Sequence, residues 1–326
     1  MIPDEVLMIS TDVNRTIQSG YSELMGLYPP GQQSGAEPLT SGMAKNIRQE
    51  WTTPFKVRDA EKINDQLGFA ALPNEFTAKP ILLYLNPDLN DDASTNGCQW
   101  INDVGKARAN DQSIWRKYDL WRAEIDKPLQ ESLGLSPDEE AVKDFHTYQT
   151  YTDTAVAENF EGIFKEKTFY TDEQWETTNE FQRAWLSDDY SPDARDLMMS
   201  RLLRKPLKVM RKRVDDILGT KESFLRDSKG VDNNELKFMI YSAHDTQVDN
   251  MLVFLSESEE SFDFVPFASQ VTFELKYSAS CVNGIAPSEA CFGVSVLSNG
   301  EPMSFSACSG DGFSEDGTGC TYSEFT

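Results

Sequence analysis

The feature that most constrains this chain is a strand, turn and helix grammar that occurs near its start and again far downstream. Val6-Leu7-Met8-Ile9-Ser10 is a short continuous apolar run, the pattern of a strand buried on both faces of a parallel sheet. The polar turn Thr11-Asp12-Val13-Asn14-Arg15-Thr16 follows, and then Ile17, Tyr21, Leu24 and Met25 recur at helical spacing until Gly26 and Pro29-Pro30. Downstream, Leu236-Lys237-Phe238-Met239-Ile240-Tyr241 leads into Ser242-Ala243-His244-Asp245-Thr246, followed by helix-like Val248, Met251, Leu252 and Leu255. Two buried strands, each feeding a helix, predict an α/β fold.

The region between them is of another kind. All six Trp lie between Trp51 and Trp185 in a stretch with helical periodicity, including Ile114, Tyr118, Trp121 and Ile125, and later Val156, Phe160, Ile163 and Phe164. Ser191-Pro192-Asp193 is a helix start, with Ser as N-cap and Pro at the first helical position. That helix continues through Met198, Leu202 and Leu203 to Gly219, and Pro206 is expected to kink or divide it. Beyond residue 270 the pattern turns antiparallel. Val271, Phe273 and Leu275 alternate with polar residues, and Phe292 to Val296 is expected to meet Met303-Ser304-Phe305 across a loop containing Asn299-Gly300. This hairpin is expected to make the sheet mixed.

Composition narrows the partners. The 326 residues carry 30 Lys and Arg against 54 Asp and Glu, a formal charge of −24, which repels phosphate backbones and anionic lipid, so neither nucleic acid nor membrane is an expected partner. The longest apolar stretches fall far short of the ~20 residues of a spanning helix. The residues after Met1 show no basic and apolar regions of a secretory signal. Four of five cysteines fall near the end, Cys281, Cys291, Cys308 and Cys320. Two bridged loops in an oxidising compartment is one reading and four reduced thiols the other. Cys98 is left over, and without a nearby His or a Cys-x-x-Cys no metal site is expected.

In open α/β sheets, ligands bind outside the carboxyl ends of the strands, where helix N-termini present N–H groups to anions. The two junctions supply Asp12 and Arg15, then His244, Asp245 and Thr246. Arginine offers a planar fork suited to phosphate or carboxylate, histidine hydrogen-bonds or takes a proton near neutrality, and aspartate protonates a leaving group when its pKa is raised. A plainer reading stands beside this one: His244-Asp245 as a capped helix start, and Arg15 as a solvated helical residue. The basic run Arg201, Arg204, Lys205, Lys208, Arg211, Lys212, Arg213 is read as a solvated helix face.

Ser10-Thr11-Asp12-Val13-Asn14-Arg15-Thr16, with Gly26-Leu27-Tyr28-Pro29, resembles the Ser-Thr-Asp-x-x-Arg-Thr segment of the histidine acid phosphatases. Tyr241-Ser242-Ala243-His244-Asp245-Thr246 resembles their His-Asp motif. The resemblance implies a three-layer α/β/α sandwich, with a core at 1–60 and 190–326 and a helical cap insertion at 60–190. It implies hydrolysis of phosphate monoesters through a phosphohistidine without cofactor. Arg15 and His244 then contact phosphate, Asp245 protonates the leaving alcohol, and Asp12 and Thr246 support them. The cysteine-closed loop Cys308 to Cys320 also resembles the family, as does Cys98, which in relatives pairs with a cysteine near the C-terminus.

The family's nucleophile lies in an Arg-His-Gly-x-Arg-x-Pro motif, and no Arg-His-Gly occurs in this sequence. The only other histidine, His146, sits in the helical stretch without glycine or flanking arginines and is read as a solvated or core histidine. The expectation is therefore an N-terminally truncated member, inactive as given. The alternatives are a non-catalytic phosphatase-like binding protein and a phytase-like fragment. A small phosphorylated substrate, a family-type homodimer and a lysosomal or secreted destination complete the expectations.

Overall fold

The computed structural model describes residues 5–27, 81–83, 98–109, 111, 113, 116, 118–134, 136, 145–162, 170–188, 191–219, 236–256, 265–303, 308 and 319–326. The chain divides into two compact units, Met1–Asn86 with Arg226–Ala243, and Pro87–Leu225 with His244–Thr326.

The first unit holds a parallel sheet of order β2-β1-β3, with β1 at Val6–Ser10, β2 at Ile81–Leu83 and β3 at Phe238–Ser242. All five β1 residues are buried, as the unbroken apolar run predicts for a central parallel strand. Ser10 is in register with Ser242 on one side and Leu83 on the other. The Lys237 N–H donates to the Glu5 carbonyl (2.8 Å), and the Lys237 ammonium pairs with the Glu5 carboxylate, tying the strand starts together. Helix α1, Asn14–Leu27, runs one residue past the expected stop at Gly26. Its Tyr21, Leu24 and Leu27 pack with Val6, Met8, Ile81 and Ile240. Gly20 sets how closely α1 lies on the sheet: a Cβ there would stand 2.7 Å from Met8 Cε and 3.2 Å from Ile81 Cδ1.

The second unit is largely helical through α2 (Gln99–Ala109), α3 (Asp119–Leu133), α4 (Phe145–Phe160), α5 (Asp172–Asp188), α6 (Pro192–Leu218) and α7 (Asp245–Leu255). An aromatic cluster joins α3, α4 and α5: Tyr118, Ile125, Tyr148, Tyr170 and Phe181 are buried together. Tyr118 and Tyr148 both meet the Phe181 ring edge-on at 5.3 and 5.2 Å, a favourable quadrupole arrangement. Asp126 lies beside Tyr148 and Tyr170, with Arg122 Nε 3.6 Å from Oδ2. Burial raises its pKa, outweighing the Arg122 charge and the Tyr148 hydroxyl, which favour ionisation. Burial likewise pushes the Tyr148 and Tyr170 phenols far above their ordinary value. Of the later helical positions, Val156 and Phe160 fall in α4 as expected. Ile163 and Phe164 lie outside the described residues, and Phe160 is 65% exposed, stacked on Phe267 at 4.3 Å.

Pro206 does not divide α6, which continues from Ser191 as N-cap to Gly219 in a left-handed C-cap. An internal proline costs about 3 kcal/mol. Buried Met198, Met199 and Leu203 before it and Val214 after it pin both halves to one core, each burial contributing about 1.5 to 3 kcal/mol.

The antiparallel strands are β4 (Val271–Tyr277), β5 (Phe292–Ser298), β6 (Glu301–Pro302) and β7 (Cys320–Thr321). Parallel and antiparallel strands thus coexist, as the α/β reading expects, but among the described residues they bond as two separate sheets. The β5–β6 hairpin forms where expected: the Met303 N–H donates to the Val296 carbonyl at 2.9 Å, and Ser298 pairs with Glu301 across Asn299 (φ 50°) and Gly300 (φ 87°). Two consecutive positive φ values are what the twist-matched two-residue turn requires. Two disulfides, Cys281–Cys291 and Cys308–Cys320, staple this region, and Cys98 is the free thiol, half-buried against the same core. Residues 309–318 of the expected loop lie outside the described residues.

Candidate active site

The first junction is fixed by hydroxyls. Ser10, Thr11, Thr16 and Ser242 are all buried, and a buried hydroxyl is tolerated only when it finds partners. Thr16 Oγ1 is the hub: Ser10 Oγ donates to it at 3.1 Å, Thr11 Oγ1 lies 2.8 Å away, and it donates toward the carbonyls of Val13 (2.9 Å) and Thr11 (3.0 Å). Ser242 Oγ, arriving from the neighbouring strand, donates to the Thr16 carbonyl at 2.6 Å. The Thr11 N–H reaches the Ser242 carbonyl at 3.3 Å. The lattice therefore welds the end of β1, the first turn of α1 and the end of β3. Asp12 and Arg15 stand outside it, exposed at the turn and in the first turn of α1.

The second junction is built from the functional candidates themselves. Ser242 is in register with Ser10, so β3 leaves the parallel sheet at the same edge as β1, and Ala243 leads to His244 as N-cap of α7. His244 has the extended backbone of an N-cap, φ −103° and ψ 160°, and is half-buried. The Gln247 carboxamide Oε1 accepts its N–H at 3.1 Å, and the His244 side chain facing the Gln247 N–H completes a capping box. Asp245 is exposed, its Oδ1 accepting the Thr246 N–H at 2.8 Å.

The first turn of α7 has a buried floor. Asn250 Nδ2 donates to the Thr246 carbonyl at 2.6 Å, and Asn250 Oδ1 accepts from Arg195 Nε of α6 at 3.0 Å. Asn250 is 2% and Arg195 3% exposed. His244 thus caps the helix it opens, as the plain reading of His244-Asp245 expects.

Each candidate sits where strand-to-helix grammar places it, while the supporting shell is not in the sequence reading. Ser10, Thr16 and Ser242 belong to the motif segments, whereas Gln247, Asn250 and Arg195 lie outside them. The available signal was a polar residue three positions after a cap, the spacing of a capping box. His146 lies in α4.

A model of the histidine phosphatase superfamily (branch 2) matches residues 2–283, most of the 326-residue chain. The chain belongs to this superfamily. Membership of branch 2 of the histidine phosphatases agrees with the α/β class of the fold. No curated protein matches the chain. The matched span of this histidine phosphatase includes Cys281 but stops short of Cys291, Cys308 and Cys320. Its two disulfides suit an oxidising, extracellular or lysosomal compartment. No helix among the described residues is long and apolar enough to cross a membrane.

Proposed function

We propose that this chain binds phosphate monoesters through the phosphatase chemistry of its superfamily, and that these 326 residues by themselves do not turn them over. Arg15 and His244 take phosphate oxygens, and Asp245 serves the ester oxygen of the leaving alcohol. The observation that carries the reading is the pairing of β1 with β3 in register, Ser10 with Ser242: both motif-bearing segments leave one edge of a parallel sheet. Superfamily membership supports hydrolysis at family level. The inactivity rests on the sequence, which contains no Arg-His-Gly and whose other histidine, His146, belongs to a helix without that motif. Without an activated nucleophile, positive groups and helix termini still bind phosphate, but the covalent step has no atom to start from.

Binding of inorganic phosphate by calorimetry, and hydrolysis of p-nitrophenyl phosphate at about pH 5, test the two halves. Phosphate binding weakened about tenfold or more by Arg15→Ala is expected, the loss of a charge-assisted hydrogen bond, and no binding at all would refute the reading. Turnover abolished by His244→Ala or Asp245→Asn would instead show an active enzyme. A lysosomal or secreted location is part of the proposal. Thiol titration under denaturation should count one free cysteine, Cys98, and a count of five would remove that part.

A further inference from the structure

Helix α6 gathers six cations on one face. Arg201, Arg204, Lys205, Lys208, Arg211 and Lys212 fall at i, i+3, i+4, i+7, i+10 and i+11, the spacing of a single helical stripe, about 16 Å long at ~1.5 Å per residue. The last two are already paired. Arg211 meets the Glu289 carboxylate and lies over the Tyr322 ring at 4.9 Å, and the buried Lys212 ammonium bonds Asp216 at 2.8 Å. The middle of the stripe differs: Arg204 and Lys208 are exposed and Lys205 is half-buried, and among the described residues no ion pair reaches any of the three. Helix stability does not account for them. Arg201 with Lys205, Arg204 with Lys208, and Lys208 with Lys212 are like charges at i,i+4, which oppose the helix. A cation gains from the helix dipole in the last turn, where α6 has no basic residue and carries Asp215 and Asp216.

We propose that Arg204, Lys205 and Lys208 form a docking strip for a linear sulfated glycan, a role independent of the phosphate reading. Basic runs fit polyanions of the nucleic-acid or heparin type, and the surroundings choose among partners. No aromatic side chain stands between Arg201 and Arg213, so a nucleic-acid base has nothing on which to stack. The apolar neighbours Leu202, Leu203, Leu207 and Met210 pack into the core, which leaves the strip without the apolar centre of a protein interface. The two disulfides suit an extracellular or lysosomal compartment, where sulfated glycans occur. Guanidinium and ammonium groups then supply charge-assisted hydrogen bonds to sulfate oxygens. The net charge of −24 does not cancel this attraction, because fields fade over about 8 Å at physiological ionic strength.

Calorimetry of the full chain with a heparin-derived octasaccharide, near neutral pH and at about 0.15 M salt, tests the proposal. Saturable binding that fades as salt rises is expected, and no binding would overturn it. Arg204→Gln, Lys205→Gln and Lys208→Gln together should weaken binding about 3-fold to 100-fold, the range of three exposed charge pairs. Lys106→Gln, Lys127→Gln and Lys276→Gln make the same charge change at exposed positions off the strip and should leave binding within about 2-fold. Equal weakening by the two sets would show that net charge rather than the strip binds. Acetylation of the native chain, mapped by mass spectrometry, needs no variant: the octasaccharide should shield Lys205 and Lys208 but not Lys127, and uniform reactivity would also overturn the proposal. Polyglutamate or duplex DNA held at the strip as tightly as the octasaccharide would refute the glycan assignment.

Discussion

The two strand-to-helix junctions meet the same demand, a sharp exit from a parallel strand into a helix, with opposite divisions of labour. After β1 the frame is a lattice of four buried hydroxyl side chains, and Asp12 and Arg15 project outside it. After β3 the candidate itself is part of the frame: His244 caps α7 and Gln247 closes the box. Where frame and function are separate, the functional side chain can change with little effect on folding. Where one residue does both, stability and binding are coupled.

The largest test of this contrast is Thr16→Val, which keeps the shape and removes the hub hydroxyl. It should cost about 3 kcal/mol, because Ser10 and Thr11 lose a buried partner, and urea unfolding measures it. A cost under about 0.5 kcal/mol would mean that the lattice is not the frame of the first junction. Ser242→Ala should cost about 1 to 2 kcal/mol through loss of the 2.6 Å bond to the Thr16 carbonyl. The contrast is sharpest in the last pair. His244→Ala should lower stability by about 1 kcal/mol, as loss of an N-cap does, and weaken phosphate binding as well. Arg15→Ala should weaken binding while leaving stability within about 0.5 kcal/mol, as for other surface changes. Equal destabilisation by the two would break the comparison.

Much of the scaffold was legible because its signals are local. The apolar run of β1, the Ser191-Pro192 start and Gly219 end of α6, the alternation of β4, and Asn299-Gly300 each state their structure within a few residues. What stayed hidden depends on distant partners. Strand β2 is only Ile81-Leu82-Leu83, too short to show a period, and becomes a strand by pairing with β1. The continuity of α6 through Pro206 comes from burial on both sides, which propensity does not foresee. At the site, the motif letters located Arg15, His244 and Asp245. Thr16 and Ser242 resemble ordinary turn formers until the fold buries them together, and Gln247 differs from a solvated helical glutamine only in being buried.

Asp126, half-buried beside Tyr148 and Tyr170, gives the helical unit a bias of its own. Most acid unfolding comes from carboxylates whose pKa is depressed by folding. Asp126 has the reverse sign: its pKa is raised in the folded state, so the native chain holds that proton more tightly than the unfolded one. Its contribution is fully favourable below the ordinary aspartate range and is lost as pH rises through the raised value. Asp126→Asn should remove this component, flattening the dependence of unfolding free energy on pH over that window. An unchanged slope would remove Asp126 as its source. The tyrosine-lined carboxyl thus works as a small proton store whose filling tightens the fold, a built-in tolerance for acid surroundings.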